Sequence, residues 1–227
     1  MASSIHSLPK IQAILFDLDG TLISTLKITE EVYTAHAHRH NIDPQPVLAY
    51  CHGVPTLQVL QKFFPACTHT KEHAMELELQ CVDKLEGLQV INGAKQLVDS
   101  LQTGSWGIFT SGMPALAVPR MKYLGIKVPE VLVTPADVQR GKPFPDGYCL
   151  AAEKLGCKAD TCVVFEDAVA GIVAGVEAGA VVVGVRTLHD HESLKLAGAS
   201  YTVKDMTKVS VEYTDNGEMT ICIDESD

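Results

Sequence analysis

Short, β-branched apolar runs alternate with stretches of helical period along most of the chain. The first run, Ile11-Gln-Ala-Ile-Leu-Phe16, stops abruptly at Asp17-Leu-Asp19-Gly20-Thr21-Leu22. Runs of the same kind recur at Trp106–Thr110, Val131–Thr134, Thr161–Phe165 and Val181–Val185. Between them the spacing predicts helices over Gly93–Leu101, Pro114–Leu124, Asp146–Leu155 and Ala168–Ala178. Strands separated by helices of this length imply right-handed crossovers and a parallel sheet covered on both faces. The expected fold class is therefore α/β, with a doubly wound, Rossmann-like core.

One region breaks the alternation. From Leu26 to about His40 the apolar positions follow a helical period, and Asn41-Ile-Asp-Pro44-Gln-Pro46 interrupts it. Helical patterning returns at Thr56–Phe64 and His69–Leu85, with Pro65 and Thr68 as stop and start signals, and no convincing strand lies between residues 23 and 87. The expectation is a core made of residues 1–23 and 88–227, with residues 24–87 inserted as an all-helical cap. Val209–Ile223 reads as a β-hairpin turning at Asp215-Asn-Gly217.

Composition narrows the class. With 46% hydrophobic and 20% charged residues, the 227-residue chain is globular and not disordered. Its formal charge of -10, without a basic cluster, argues against nucleic acid or an anionic membrane as partner. Met1–Lys10 lacks the apolar stretch of a secretion signal, and no apolar segment is long enough to span a bilayer. Seven cysteines, scattered and without Cys-x-x-Cys, fit a reducing compartment, so a cytoplasmic location is expected. Nothing in the pattern fixes an oligomeric state, and a monomer is compatible with it.

Three apolar strands end in groups suited to phosphate or metal: Asp17 after Phe16, Thr110 and Ser111 after Phe109, and Glu166 and Asp167 after Phe165. Ligands of open parallel sheets bind beyond the carboxyl ends of the strands, so these groups are expected to converge. Lys142, in the proline-bounded loop Gly141-Lys-Pro-Phe-Pro145, adds a restrained positive charge. The residue types define a chemistry. Asp17 is suited to attack phosphorus, and Asp19 to protonate the leaving oxygen and then deprotonate water. Mg²⁺ would lie between the anions, held by Asp17, the Asp19 carbonyl and Asp167. Thr110, Ser111 and the backbone about Gly20 and Gly112 would hold phosphate oxygens, with Lys142 offsetting charge. Glu166 is expected to support the site from behind.

Phe-Asp17-Leu-Asp19-Gly-Thr-Leu, Thr110-Ser-Gly, Gly-Lys142-Pro-x-Pro and Val-Phe-Glu166-Asp167-Ala-x-x-Gly171-Ile resemble, in order, the four motifs of the haloacid dehalogenase-like (HAD) phosphatases. The resemblance implies the same roles for Asp17, Asp19, Thr110, Lys142 and Asp167, and a helical C1 cap between the first two motifs. Within that cap, His52-Gly53-Val-Pro-Thr-Leu resembles 2-deoxyglucose-6-phosphate phosphatases and glycerol-phosphate phosphatases, which makes His52 and Gly53 candidates for contact with the substrate. The implied activity is hydrolysis of a small sugar or polyol phosphate. The alternatives are a phosphosugar mutase of the same superfamily and a non-catalytic binding protein. Related mutases often carry an acidic residue where this chain has Ile23-Ser24, and the four intact motif residues speak against an idle site.

Other features read as structural. Gly171, Gly175 and Gly179 suggest close packing of a helix on the sheet, and no dinucleotide fingerprint is present. His36 and His40 share a helical face, but the sequence shows no further zinc ligand near them, so His36, His38 and His40 are expected to form a solvated surface.

Overall fold

The apolar runs form strands. The computed structural model describes residues 5–51, 54–81, 84–112 and 114–226. Its strands are β1 (Ile5–Ile11), β2 (Ala13–Phe16), β3 (Ile23–Ser24), β4 (Gln89–Val90), β5 (Trp106–Phe109), β6 (Val131–Val133), β7 (Cys162–Glu166), β8 (Val181–Val185), β9 (Tyr201–Val203), β10 (Val209–Tyr213) and β11 (Met219–Asp224). Its α-helices are α1 (Leu26–Arg39), α2 (Pro44–Cys51), α3 (Thr56–Phe63), α4 (Lys71–Leu79), α5 (Ala94–Ser100), α6 (Pro114–Tyr123), α7 (Asp146–Lys154), α8 (Val169–Glu177) and α9 (His191–Leu196). The chain divides into two units, one of residues 1–24 with 90–227 and one of residues 25–89.

The larger unit is built on a six-stranded parallel sheet in the order β6-β5-β2-β7-β8-β9. Strands β2, β5 and β7 are buried on both faces, which is why they read as unbroken apolar runs instead of alternating ones. Phe16 pairs in register with Phe165 on one side and Ile108 on the other. Its ring stacks on Phe165 at 5.3 Å between centroids and meets Trp106 edge-on at 6.1 Å. Burying an aromatic of this size contributes about 1.5–3 kcal/mol. The chain runs outward from β2 through β5 to β6 and then crosses back to β7, so the strand order reverses at β2. That reversal opens a crevice at the carboxyl ends.

A separate antiparallel sheet has the order β1-β11-β10. The hairpin β10–β11 turns at Asp215–Gly217, with Val209 opposite Ile223. Strand β1 was not expected. Pro9 interrupts its pattern, and as an edge strand it tolerates the missing amide. Lys10, at φ 62°, and an irregular register between Leu8 and Ile11 separate it from β2, so the first core strand begins at Ala13 and not at Ile11. Helix α9 and strand β9 were also not anticipated.

The smaller unit is helical. Val32, Tyr33, Ala37, Val47, Val59, Leu60, Phe64 and Leu77 form its core. Asn41, at φ 56°, closes α1 in the left-handed conformation. The helical pattern breaks after α1 as expected, and Pro44 then begins a further helix, α2, as its first residue, where the missing amide costs nothing and the Asp43 carboxylate accepts from the Gln45 amide. The expectation of a solvated histidine face holds for His38, which is exposed, but not for His36, which is 3% exposed. Burial and the neighbouring His40, Arg39 and His73 push the His36 imidazole down to about 4. Among the described residues, no helix is long and apolar enough to cross a membrane, and all seven cysteines are free thiols.

Candidate active site

The register places Asp17, Thr110 and Glu166 at adjacent strand ends. Asp17 follows β2 directly, and its amide donates to the Phe165 carbonyl at 2.9 Å. Thr110 follows β5, where its amide donates to Val133 at 3.1 Å and its hydroxyl accepts from the Gly112 amide at 2.9 Å. The Thr110 hydroxyl hydrogen therefore remains available to a ligand. Ser111 is exposed beside it, and a Cβ on Gly112 would come within 3.2 Å of Thr110 Oγ1 and 3.4 Å of Asp19 Oδ2. The 110–112 loop and Asp19 thus border the same space.

Lys142 is buried between two carboxylates. Its Nζ donates to Asp17 Oδ1 at 2.5 Å and also to Glu166 Oε1. Burial alone would lower the ammonium's pKa, but the Asp17 and Glu166 charges outweigh it and hold the group above its ordinary range. The rings of Phe109 and Tyr148 lie 5.1 and 5.5 Å from Nζ. Such enclosure makes the lysine a fixed point charge.

Glu166 is saturated. Its two oxygens accept from Lys142, from the Tyr148 hydroxyl at 2.8 Å, and from the amides of Asp167 and Ala168 at 3.1 and 3.2 Å. Gly171, in the first turn of α8, leaves room for this carboxylate, because a Cβ there would fall inside it. The reason for that glycine is therefore Glu166; only Gly175, against Val164 and Val182, packs on the sheet as expected. Gly20, at φ 97°, does the same for Asp167, whose carboxylate occupies the space a side chain would need. The Gly20 carbonyl accepts from the Thr187 hydroxyl at 2.5 Å.

Oxygen atoms of Asp17, Glu166 and Asp167 lie within 4.8 Å of one another, and all three residues are buried. Burial pushes the Asp17 carboxyl up to about 7, with Glu166 and Asp19 adding to the shift and Lys142 opposing it. Asp167 is also raised well above its ordinary value, by burial first and then by Asp17 and Glu166. Three carboxylates facing one ammonium leave an excess of negative charge that a bound cation would relieve. With Glu166 already saturated, Asp17 and Asp167 offer the oxygens, and such a donor set fits a hard divalent ion.

Two residues of the site escaped sequence reading. Arg120 on α6 is buried, and its Nη1 donates to Asp19 Oδ1 at 3.0 Å across 101 positions of sequence. Its signal was an arginine on an otherwise apolar face with Leu116, Ala117 and Met121. Tyr148 on α7 is the other; it lies on a face with Ala151 and Ala152 and reads as core. His52 and Gly53 lie outside the described residues.

The chain matches the haloacid dehalogenase-like hydrolases over residues 11–179, and it belongs to that family. It is 34% identical over 216 residues to hexitol phosphatase A of Escherichia coli, covering 93% of this chain and 99% of that one. It is also 36% identical to 2-deoxyglucose-6-phosphate phosphatase 2 of Saccharomyces cerevisiae, covering 87% and 89%. Among solved structures, a HAD-family hydrolase from Deinococcus radiodurans with bound phosphate and sodium superposes with a TM-score of 0.70 at 27% identity, covering 87% of this chain and 93% of that one.

Proposed function

We propose that the protein is a Mg²⁺-dependent phosphomonoesterase that hydrolyses small sugar or polyol phosphates through an aspartyl-phosphate. The observation that carries this reading is the buried Asp17 carboxylate, clasped by Lys142 and flanked by Asp167 at the end of the central strand. Relatives named for hexitol and deoxyglucose phosphates support the substrate class.

Asp17 and Asp167, with the Asp19 carbonyl, would hold the Mg²⁺, which supplies charge neutralisation between carboxylate and phosphate when bound. Asp17 attacks phosphorus while the bond to the leaving oxygen breaks, and Asp19 delivers a proton to that oxygen. Water then attacks the same phosphorus and gives its proton to Asp19. Inorganic phosphate leaves, and the Asp17 carboxylate is restored. The Thr110 and Ser111 hydroxyls donate to phosphate oxygens, and Lys142 offsets the charge that gathers on Asp17 and the transferred group. Arg120 acts through Asp19, fixing Oδ1 so that the carboxyl keeps one orientation. Residues 24–87 would act as the cap that selects the leaving group, with His52 and Gly53 as its candidate substrate contacts. Free thiols accord with a cytoplasmic location.

The test is phosphate release from a panel of hexose, deoxyhexose, hexitol and glycerol phosphates with wild type and Asp17→Asn. Asp17→Asn is expected to abolish turnover with an unchanged circular dichroism spectrum. Near-normal activity in that variant would refute the assignment. Phosphate released without a bisphosphate primer separates hydrolysis from mutase action.

A further inference from the structure

Two of the three histidines expected on a solvated face, His36 and His40, belong instead to a cluster inside the helical unit. His36 on α1 and His40 at its C-terminal end lie one turn apart, and α4 brings His73 to the same place. The ring of His36 stands 4.7 Å from His40 and 5.3 Å from His73, and one ring nitrogen from each of the three lies within 4.8 Å of the others. His36 is 3% exposed, yet among the described residues nothing hydrogen-bonds either of its ring nitrogens. Buried polar atoms are almost always paired, so an imidazole with two unpaired nitrogens inside a histidine cluster points to a missing partner.

We propose that His36, His40 and His73 form a binding site for a borderline divalent transition-metal ion of the Zn²⁺ and Co²⁺ kind. Three neutral imidazoles suit such ions and not Mg²⁺, which prefers oxygen. Metal–nitrogen bonds of about 2.0–2.1 Å put tetrahedral ligands roughly 3.4 Å apart, so the rings need rotate inward by only about an ångström. The Phe64 ring, 4.6 Å from His36, walls one side. The Glu76 carboxylate, 3.7 Å from His73 Nδ1, adds a negative neighbour that favours a cation. All these residues belong to the helical unit, so the site is chemically distinct from the carboxylate cluster of the larger unit. Its occupant would tie the end of α1 to α4 and rigidify the unit. Sequence alone offered only the pair on α1. The third ligand comes from a helix more than thirty residues on, and no local pattern links the two.

The experiment uses tag-free, chelator-stripped full-length protein in excess Mg²⁺, titrated with Co²⁺ and followed by its visible absorption. One equivalent is expected to bind with the spectrum of a low-symmetry nitrogen-ligated ion, and Zn²⁺ should displace it and raise the melting temperature. His73→Gln, a half-buried position that leaves the fold intact, should weaken binding by at least about tenfold and abolish the Zn²⁺ shift. Asp167→Asn should keep both responses, which separates this site from the carboxylates and the result from any failure of the proposed phosphatase chemistry. No Co²⁺ spectrum in the wild type, or a spectrum that His73→Gln leaves unchanged, would overturn the proposal and leave the cluster as aromatic packing.

Discussion

Gly171→Ala tests the reading of Glu166 as the post behind Lys142. In the first turn of a helix this exchange ordinarily stabilises, by up to about 1 kcal/mol. Here the added Cβ would fall inside the Glu166 carboxylate, a group buried to 1% exposure with four donors around it. Overpacking costs about 1–3 kcal/mol. Displacing the carboxylate also loosens charge-assisted hydrogen bonds worth about 1.5–3 kcal/mol each. With one such bond lost, the penalties outweigh the helix gain, and a net loss on the order of 3 kcal/mol is expected, or about 6–12 °C in Tm for a chain of this size. Lys142 would lose one of its two anchors, and a misplacement of about 1 Å at the nucleophile lowers kcat by roughly 10²-fold. Urea unfolding followed by circular dichroism, together with phosphate release, reads both effects. A variant as stable as the wild type with unchanged kcat would show that Glu166 is not held as described.

Arg120→Lys keeps the charge but loses the planar fork, so Asp19 should be less well held, with kcat on alkyl phosphates falling about 10²-fold. An aryl phosphate, whose leaving group needs no proton, should be affected far less, and equal losses on both would contradict a role through Asp19. Removing divalent ions with EDTA should stop turnover and Mg²⁺ restore it, whereas excess Ca²⁺ should inhibit; full activity in EDTA would count against the metal. Asp137, after β6, accepts from the Thr134 amide at 2.9 Å and hydroxyl at 2.8 Å, which hold its carboxyl below the ordinary 3.8. Its contribution to stability is therefore complete above about pH 4 and lost as pH falls through the lowered folded value. Urea midpoints measured against pH should show a shallower acid limb in Asp137→Asn than in the wild type.

The strand ends were legible because their signals are local. An apolar run halted by Asp17, Thr110 or Glu166 can be read within a few residues, and a parallel sheet has one edge at which such ends gather. Strand β1 was not legible, since Pro9 and Lys10 spoil its alternation and its pairing partner, β11, comes more than two hundred residues later. Pro44 was ambiguous in principle, because the same residue stops one helix and starts another.

The identities of the carboxylates, the lysine and the hydroxyl were thus set by the sequence, as was the alternation that builds the sheet. Which side chains support them was decided by the tertiary structure: Arg120 beneath Asp19, Tyr148 and the space above Gly171 for Glu166, and His73 beside His36. Those contacts join residues whose local surroundings look like ordinary helix core, and only packing one element on another brings a buried charge to its partner.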